Sequence, residues 1–182
     1  EYLISAANET KEQMTACVSV LNGFAKVVAY DPQDAKVFKR EYKEWGVELK
    51  AEVVTFTSFL AELLEAGKIV ANKSGKEVTY QDPFQLSRDL GEMEEPRKVI
   101  GAFANVKEML CYGKDTMWAG NLLMKEWMSN VIDDVAKGRI RNAMGVGADT
   151  IVTASVSEYA ALKAVKQSDV AILSIEELIL GE

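Results

Sequence analysis

One absence and one stretch of chain set the chemistry open to this sequence. There is no histidine, which removes the commonest general base, any Ser-His or Cys-His pair and any imidazole-held metal. What remains is carboxylates, guanidinium groups and two cysteines, Cys17 and Cys111. The reactive types gather around Val78-Thr79-Tyr80-Gln81-Asp82-Pro83-Phe84. Val78 and Tyr80 mark a buried strand that must stop at Asp82-Pro83, because proline has no amide to give a sheet. Strand ends of this kind are where α/β proteins build sites. Arg88 and Arg97 follow; as guanidinium forks they suit an anionic carboxylate, or they pair with Asp82, Asp89, Glu94 and Glu95 to hold the turn. Cys111, after a short strand and before Gly113, is either a redox thiol or a small half-buried hydrophobe. Cys17 falls on the apolar face of a helix and is expected in the core.

The elements that position these residues alternate along the chain. A helix is expected over residues 8–21, capped by Thr10, with Met14, Cys17, Val18 and Leu21 inward and Gly23 at its end. A strand over 25–30 breaks at Asp31-Pro32. A helix over 34–45 turns Val37, Phe38 and Tyr42 inward and closes at Gly46. Val53, Val54 and Phe56 make a second strand, and Ser58 caps a helix carrying Phe59, Leu60, Leu63 and Leu64 to Gly67. Residues 72–76 read as a turn or linker. Beyond the central strand, Pro96 sits in the first turn of a helix reaching Phe103. A strand over 106–110, a long helix over 121–144, a strand over 150–154, a helix over 157–165, a strand over 170–173 and a helix over 174–180 complete the order. Strands separated by helices predict an α/β fold with a mainly parallel sheet, since parallel neighbours need crossovers.

The order also repeats. Gly23-Phe24-Ala25-Lys26-Val27-Val28-Ala29-Tyr30-Asp31-Pro32-Gln33-Asp34 matches in pattern the stretch from Gly147 to Glu158. Two pseudo-repeated strand-turn-helix lobes are therefore expected, over 1–71 and 76–182, the first lacking its opening elements. Composition limits the partners. A net charge of −7 opposes a nucleic acid, whose phosphates need a basic field. Two cysteines are too few for a disulfide framework and fit a reducing cytoplasm. No apolar run reaches the ~20 residues of a membrane span and no signal peptide opens the chain. Membrane insertion is not expected.

In its motifs the chain resembles the cysteine-rich CCG-domain family, whose members include heterodisulfide reductase and glycolate oxidase iron–sulfur components. The family pattern is a strand ending His-Asp-Pro-Cys, then Leu-x-Arg and Pro-Arg, then Cys-Cys-Gly, then a strand ending Cys-Pro-x-Cys. Here stand Gln81-Asp82-Pro83-Phe84, Leu86-Ser87-Arg88, Pro96-Arg97, Cys111-Tyr112-Gly113 and Ser155-Val156-Ser157-Glu158. Asp31-Pro32-Gln33-Asp34 occupies the earlier Cys-Pro-x-Cys. The resemblance runs in order over nearly the whole chain.

By that resemblance the positions matching cluster ligands are Asp31, Asp34, Phe84, Cys111, Tyr112, Ser155 and Glu158, and one thiol survives among them. The resemblance thus implies an iron–sulfur scaffold in a member without the sulfur donors, so no cofactor is expected here. Two further readings stay open. Asp31, Asp34, Asp82 and Glu158 could hold a hard cation through oxygen, though strand-end and helix-start carboxylates are favoured by capping and the helix dipole anyway. Cys111, with Asp31, Asp82 or Glu158, could retain a thiol- or carboxylate-based activity. Met117 and Trp118, where the family has glycines, are expected to fill space or to present an apolar patch. Trp127 and Met128 are core candidates or a dimer stripe. The role that follows is that of a binding or scaffold component in an oxidoreductase complex, with its other subunits or a second copy as partner.

Overall fold

The structure, a computed structural model, describes residues 6–165 and 170–181. The chain is α/β, with two all-parallel sheets and eight α-helices among the described residues. It divides into two compact units, Glu1–Phe59 and Leu60–Glu182, with the division inside one helix.

The first unit opens with α1 (Ala7–Leu21). Strands β1 (Lys26–Ala29) and β2 (Glu52–Thr55) pair in parallel, Lys26 opposite Glu52. Between them the chain is helical from α2 (Pro32–Lys36) through a π-helical turn (Val37–Glu41) into α3 (Tyr42–Glu44). Pro32 at the first helical position has no amide to leave unpaired, which is why the strand can turn into a helix there. Met14, Tyr42 and Val47 are buried together, with Val18, Val37, Phe38 and Trp45 against them. Gly46, at φ +70°, supplies the left-handed residue that ends the helix.

Four expectations fail in this unit. Cys17 is exposed, one position before the half-buried Val18 and off the stripe set by Met14. Phe56 opens α4 (Phe56–Glu65) and does not extend β2. That helix is capped by Thr55, whose hydroxyl accepts from the Ser58 amide at 3.1 Å, so Ser58 is not the cap. Thr10 likewise sits inside α1 and donates to the Ala6 carbonyl.

The second unit carries a four-stranded sheet in the order β4-β3-β5-β6. Its strands are β3 (Glu77–Gln81), β4 (Asn105–Val106), β5 (Thr150–Thr153) and β6 (Ala171–Ser174). The expected strand over 106–110 is therefore two residues long. Helix α5 (Glu94–Gly101) connects β3 to β4, α6 (Leu122–Gly145) precedes β5, α7 (Val156–Val165) precedes β6, and α8 (Ile175–Leu180) closes the unit. After β3 the chain moves to one side for β4 and returns to the other side for β5. The strand order reverses between β3 and β5, the point where open α/β sheets place their crevice.

Helix α6 starts at Asn121, whose side chain accepts from the Leu123 and Met124 amides. It is kinked at Met128 (φ −134°, ψ 43°), and Lys125 bridges to Asp133 across the kink at 2.7 Å. Its inner face, Ile132, Ala136, Ile140 and Ala143, is buried, the last three in one cluster with residues of the sheet and α7. No helix among the described residues is long and apolar enough to cross a membrane.

The loop entering α6 passes tightly over α7 at Gly120, which has φ +118°. A Cβ there would lie 2.9 Å from the Ala161 Cβ and 3.1 Å from the Ile132 Cγ2. Gly120→Ala therefore combines backbone strain with overpacking, and is expected to cost about 1–3 kcal/mol, read as a lower urea midpoint at unchanged m.

Candidate functional site

The candidate site lies at the carboxyl ends of β3 and β5. Its anchor is Asp82, 1% exposed. The Asp82 carboxylate accepts from Arg97 Nη1 at 2.8 Å and Nη2 at 2.9 Å, and from the Gly113 amide at 2.8 Å. Arg97 also donates to Glu108, from Nε at 2.7 Å and Nη2 at 3.0 Å, and to the Met93 carbonyl. Its guanidinium lies over the rings of Tyr80 and Tyr112, 5.6 and 5.5 Å from their centroids. One arginine thus ties the end of β3 to α5 and to the loop after β4. The turn-holding reading of Arg97 is what the geometry presents. Arg88 holds the same loop differently, donating to the carbonyls of Lys114 and Thr116.

A second set lies under this anchor. Gln81, the last residue of β3, is fully buried. Its amide nitrogen donates to the Met117 carbonyl at 2.9 Å and to Glu158 Oε1 at 3.2 Å, and its carbonyl accepts from Arg139 Nε at 2.7 Å. Glu158, 3% exposed in the first turn of α7, also accepts from the Ala119 amide at 3.2 Å. Arg139, 1% exposed, donates from Nη1 to the Leu110 carbonyl at 3.4 Å. The outer atoms of this chain, Arg139 Nη2 and Glu158 Oε2, are buried and have no hydrogen-bond partner. A neutral amide therefore sits between the two ionisable groups.

Burial governs both titrations. It pushes the Glu158 carboxyl up to about 8, against the pull of the Ala119 amide, the Gln81 amide and the Arg139 charge, with Asp82 adding to the rise. Burial pushes the Arg139 guanidinium down, against Glu158, Asp82 and Cys111.

The positions marked by the sequence take distinct places. Phe84 is half-buried and precedes a π-helical turn, Gln85–Leu90. Cys111 is a half-buried free thiol at φ +59°, a left-handed conformation that a non-glycine residue adopts at a cost. Tyr112 is exposed, with its ring against Arg97. Ser155 accepts from the Glu158 amide at 3.4 Å and donates its own amide to Thr153 Oγ1 at 3.2 Å, so it caps α7. In the first unit Asp31 caps α2, accepting from the Gln33 amide at 2.8 Å. Asp34 follows in the first turn of α2; burial and then the Asp31 charge push its carboxyl up. Among the described residues, no three His, Cys, Asp or Glu side chains are grouped to hold a metal ion.

Two side-chain expectations are corrected. Met117 is exposed and fills nothing; the loop acts through its backbone, the Met117 carbonyl and the Ala119 amide reaching Gln81 and Glu158. Trp127 is also exposed and is not core. Gln81, Arg139 and Glu108 carry contacts that the sequence reading does not assign. Arg139 has a signal: it lies on the inward stripe of α6 with Ile132, Ala136, Ile140 and Ala143, where a charge must be matched from inside the fold.

No family model matches the chain. A component of the dihydromethanophenazine:CoB–CoM heterodisulfide reductase of Methanosarcina acetivorans is 34% identical over 134 residues, covering 66% of this chain and 31% of that protein. The probable iron-sulfur-binding oxidoreductase FadF of Bacillus subtilis is 33% identical over 87 residues, covering 47% of this chain and 12% of FadF. A component of the fumarate reductase (CoM/CoB) of Methanothermobacter marburgensis is 24% identical over 135 residues, covering 73% of this chain and 26% of that protein. The chain thus spans about a third or less of the length of these relatives. A solved glutamate racemase from Bacillus anthracis aligns at a TM-score of 0.43 and 15% identity over 96% of this chain and 63% of its own.

Two outcomes follow from the site. Arg97→Met leaves Asp82 charged and buried, and is expected to cost about 3–5 kcal/mol in urea unfolding, with the Asp82→Asn/Arg97→Met double variant costing less than the sum of the singles. Glu158 titrates near 8 when folded, against an ordinary value of 4.5, so the folded state holds the proton more tightly. Its contribution is complete below pH 4.5 and is lost as pH rises toward 8, by at most ~1.4 kcal/mol per pH unit. Glu158→Gln is expected to flatten that decline in unfolding midpoints measured from pH 5 to 8.

Proposed function

The chain belongs to the CCG-domain, heterodisulfide reductase-like family, and from this premise we propose that it is part of a heterodisulfide reductase-related oxidoreductase, with a binding or scaffold role and no iron–sulfur cluster at the crevice. The observation that carries this reading is the donor set at the ends of β3 and β5. A thiolate-held cluster needs several soft sulfur donors. The matching positions in this unit are Phe84, Cys111, Tyr112, Ser155 and Glu158, with a single thiol among them. Phe84 offers no donor, Ser155 is occupied as a helix cap, and Tyr112 lies on Arg97. Glu158 has one free oxygen, buried and held in a carboxyl that is mostly protonated at pH 7. These residues do not fit a cluster.

The relatives supply the context. The two reductase relatives are, by their names, parts of larger assemblies, so protein partners are the expected ligands of this domain. A cytoplasmic setting agrees with two free thiols.

The second reading is enzymatic and has one observation in its favour. Cys111 is held in a left-handed conformation with the buried Arg139 close enough to feel its charge, an arrangement found around functional thiols. Asp82 is not available as its base, since all its contacts are structural. In this reading Glu158 is the proton-holding group of the crevice.

Iron and acid-labile sulfide analysis with a visible spectrum, on protein purified without oxygen, decides the first reading. Sub-stoichiometric iron and no charge-transfer absorption are expected; one cluster's worth of iron and sulfide per chain overturns it. Iodoacetamide labelling of Cys111, compared with the denatured chain, decides the second. A rate at least tenfold below that of the denatured thiol is expected for the scaffold, and a rate above it gives the crevice to an enzyme.

A further inference from the structure

Outside the crevice, the least explained surface of the second unit is the first half of α6. Leu123 is 68% exposed and Trp127 77%, and Met124, Met128 and Val131 are each exposed by 42–50%. At 100° per residue these five fall within one arc of the helix, beside the inward stripe and not on it. They are all large and apolar, with Met and Trp prominent, the types enriched where proteins meet. Single exposed apolar residues need no explanation, but a contiguous patch of this kind does.

We infer that this face of α6 is the contact between two copies of the chain, packed antiparallel about a two-fold axis that passes beside Trp127. The argument for a second copy rests on area and on symmetry. Five side chains at these exposures present roughly 600 Å² of apolar surface, which with a polar rim approaches the ~800 Å² per partner of a stable interface. Leu123 and Val131 stand at equal distances in sequence, four residues before and four after Trp127. A two-fold axis at Trp127 therefore sets Leu123 of each copy against Val131 of the other, with the two indoles at the centre. An isologous contact requires this kind of self-matching patch. Trp is also among the residue types that most often carry the binding energy at an interface centre. The exposed Glu126, Asn130 and Asp134 flank the face and supply the rim. The inference is independent of whether the crevice holds a cluster, because no residue of the face takes part in the Asp82 or Glu158 contacts.

Sedimentation equilibrium of the whole chain, wild type beside Trp127→Glu and Leu123→Glu, tests it. The wild type is expected to dimerise at micromolar concentration, and each variant to weaken the association by at least tenfold while keeping the wild-type circular dichroism and urea midpoint. A wild type that stays monomeric to several hundred micromolar overturns the inference and leaves the face to a different partner. A dimer that persists unchanged in both variants also overturns it, by placing the contact elsewhere. Val131→Glu serves as the second reading at the far end of the patch and is expected to match Leu123→Glu, since the two-fold makes them one contact.

Discussion

The second unit depends on the carboxylate of Asp82 being satisfied where the strand ends. A buried charge without partners would cost several kcal/mol, and Asp82 answers that cost with a bidentate arginine and a backbone amide. The consequence is geometric. Because Arg97 comes from α5 and Gly113 from the loop after β4, one side chain fixes three segments that are separate in sequence. Pro83 makes this possible by ending β3 and leaving Asp82 facing the crevice. Tyr80 and Tyr112, lying against the guanidinium, keep water from the pair and restrict its swing.

Much of this frame can be read from the chain itself, and the reasons are local. The Asp-Pro break after a β-branched run, the glycines after helices and the spacing of Met14, Val37 and Tyr42 are all short-range signals, and the elements form where they point. Arg97 with Asp82 is legible because proline and arginine follow the turn at helix-start spacing. The errors arise where tertiary contacts outvote local preference. Phe56 has the type of a strand residue but follows Thr55, whose hydroxyl caps a helix. Residues 107–110 have strand character but reach beyond the edge of a short parallel partner, so only Asn105 and Val106 pair. Cys17 and Trp127 lie on helices whose apolar arc is wider than the surface available to cover it. Gln81 is invisible, since nothing in sequence distinguishes a glutamine that bridges two buried ionisable groups from one at a strand end in water.

The same four-residue pattern also serves two purposes here. Ser174 and Glu177 form a complete capping box at the start of α8, with the serine hydroxyl accepting from the Glu177 amide and the Glu177 carboxylate accepting from the Ser174 amide. Ser155 and Glu158 have identical spacing at the start of α7, and the serine caps in the same way. Glu158, however, turns inward to Gln81 and the Ala119 amide. The difference is position in the sheet. Helix α8 follows the edge strand β6, where a carboxylate can stay at the surface, while α7 follows β5 beside the reversal of strand order. A residue type suited to capping is thereby drawn into the interior, and its acidity is changed by the site it occupies.

Finally, the strand order bears on how the unit is assembled. β3 lies between β4 and β5, yet Val78 meets Thr150 only after the whole of α5, the connecting loops and α6 have been made. Closing so long a segment costs entropy before any pairing is rewarded, and folding rates fall as such distant contacts dominate. A nascent chain therefore carries the apolar flank of β3 uncovered for most of its synthesis. Covering that flank falls to the last strands to emerge, which makes the carboxyl-terminal third of the chain the segment that completes the core.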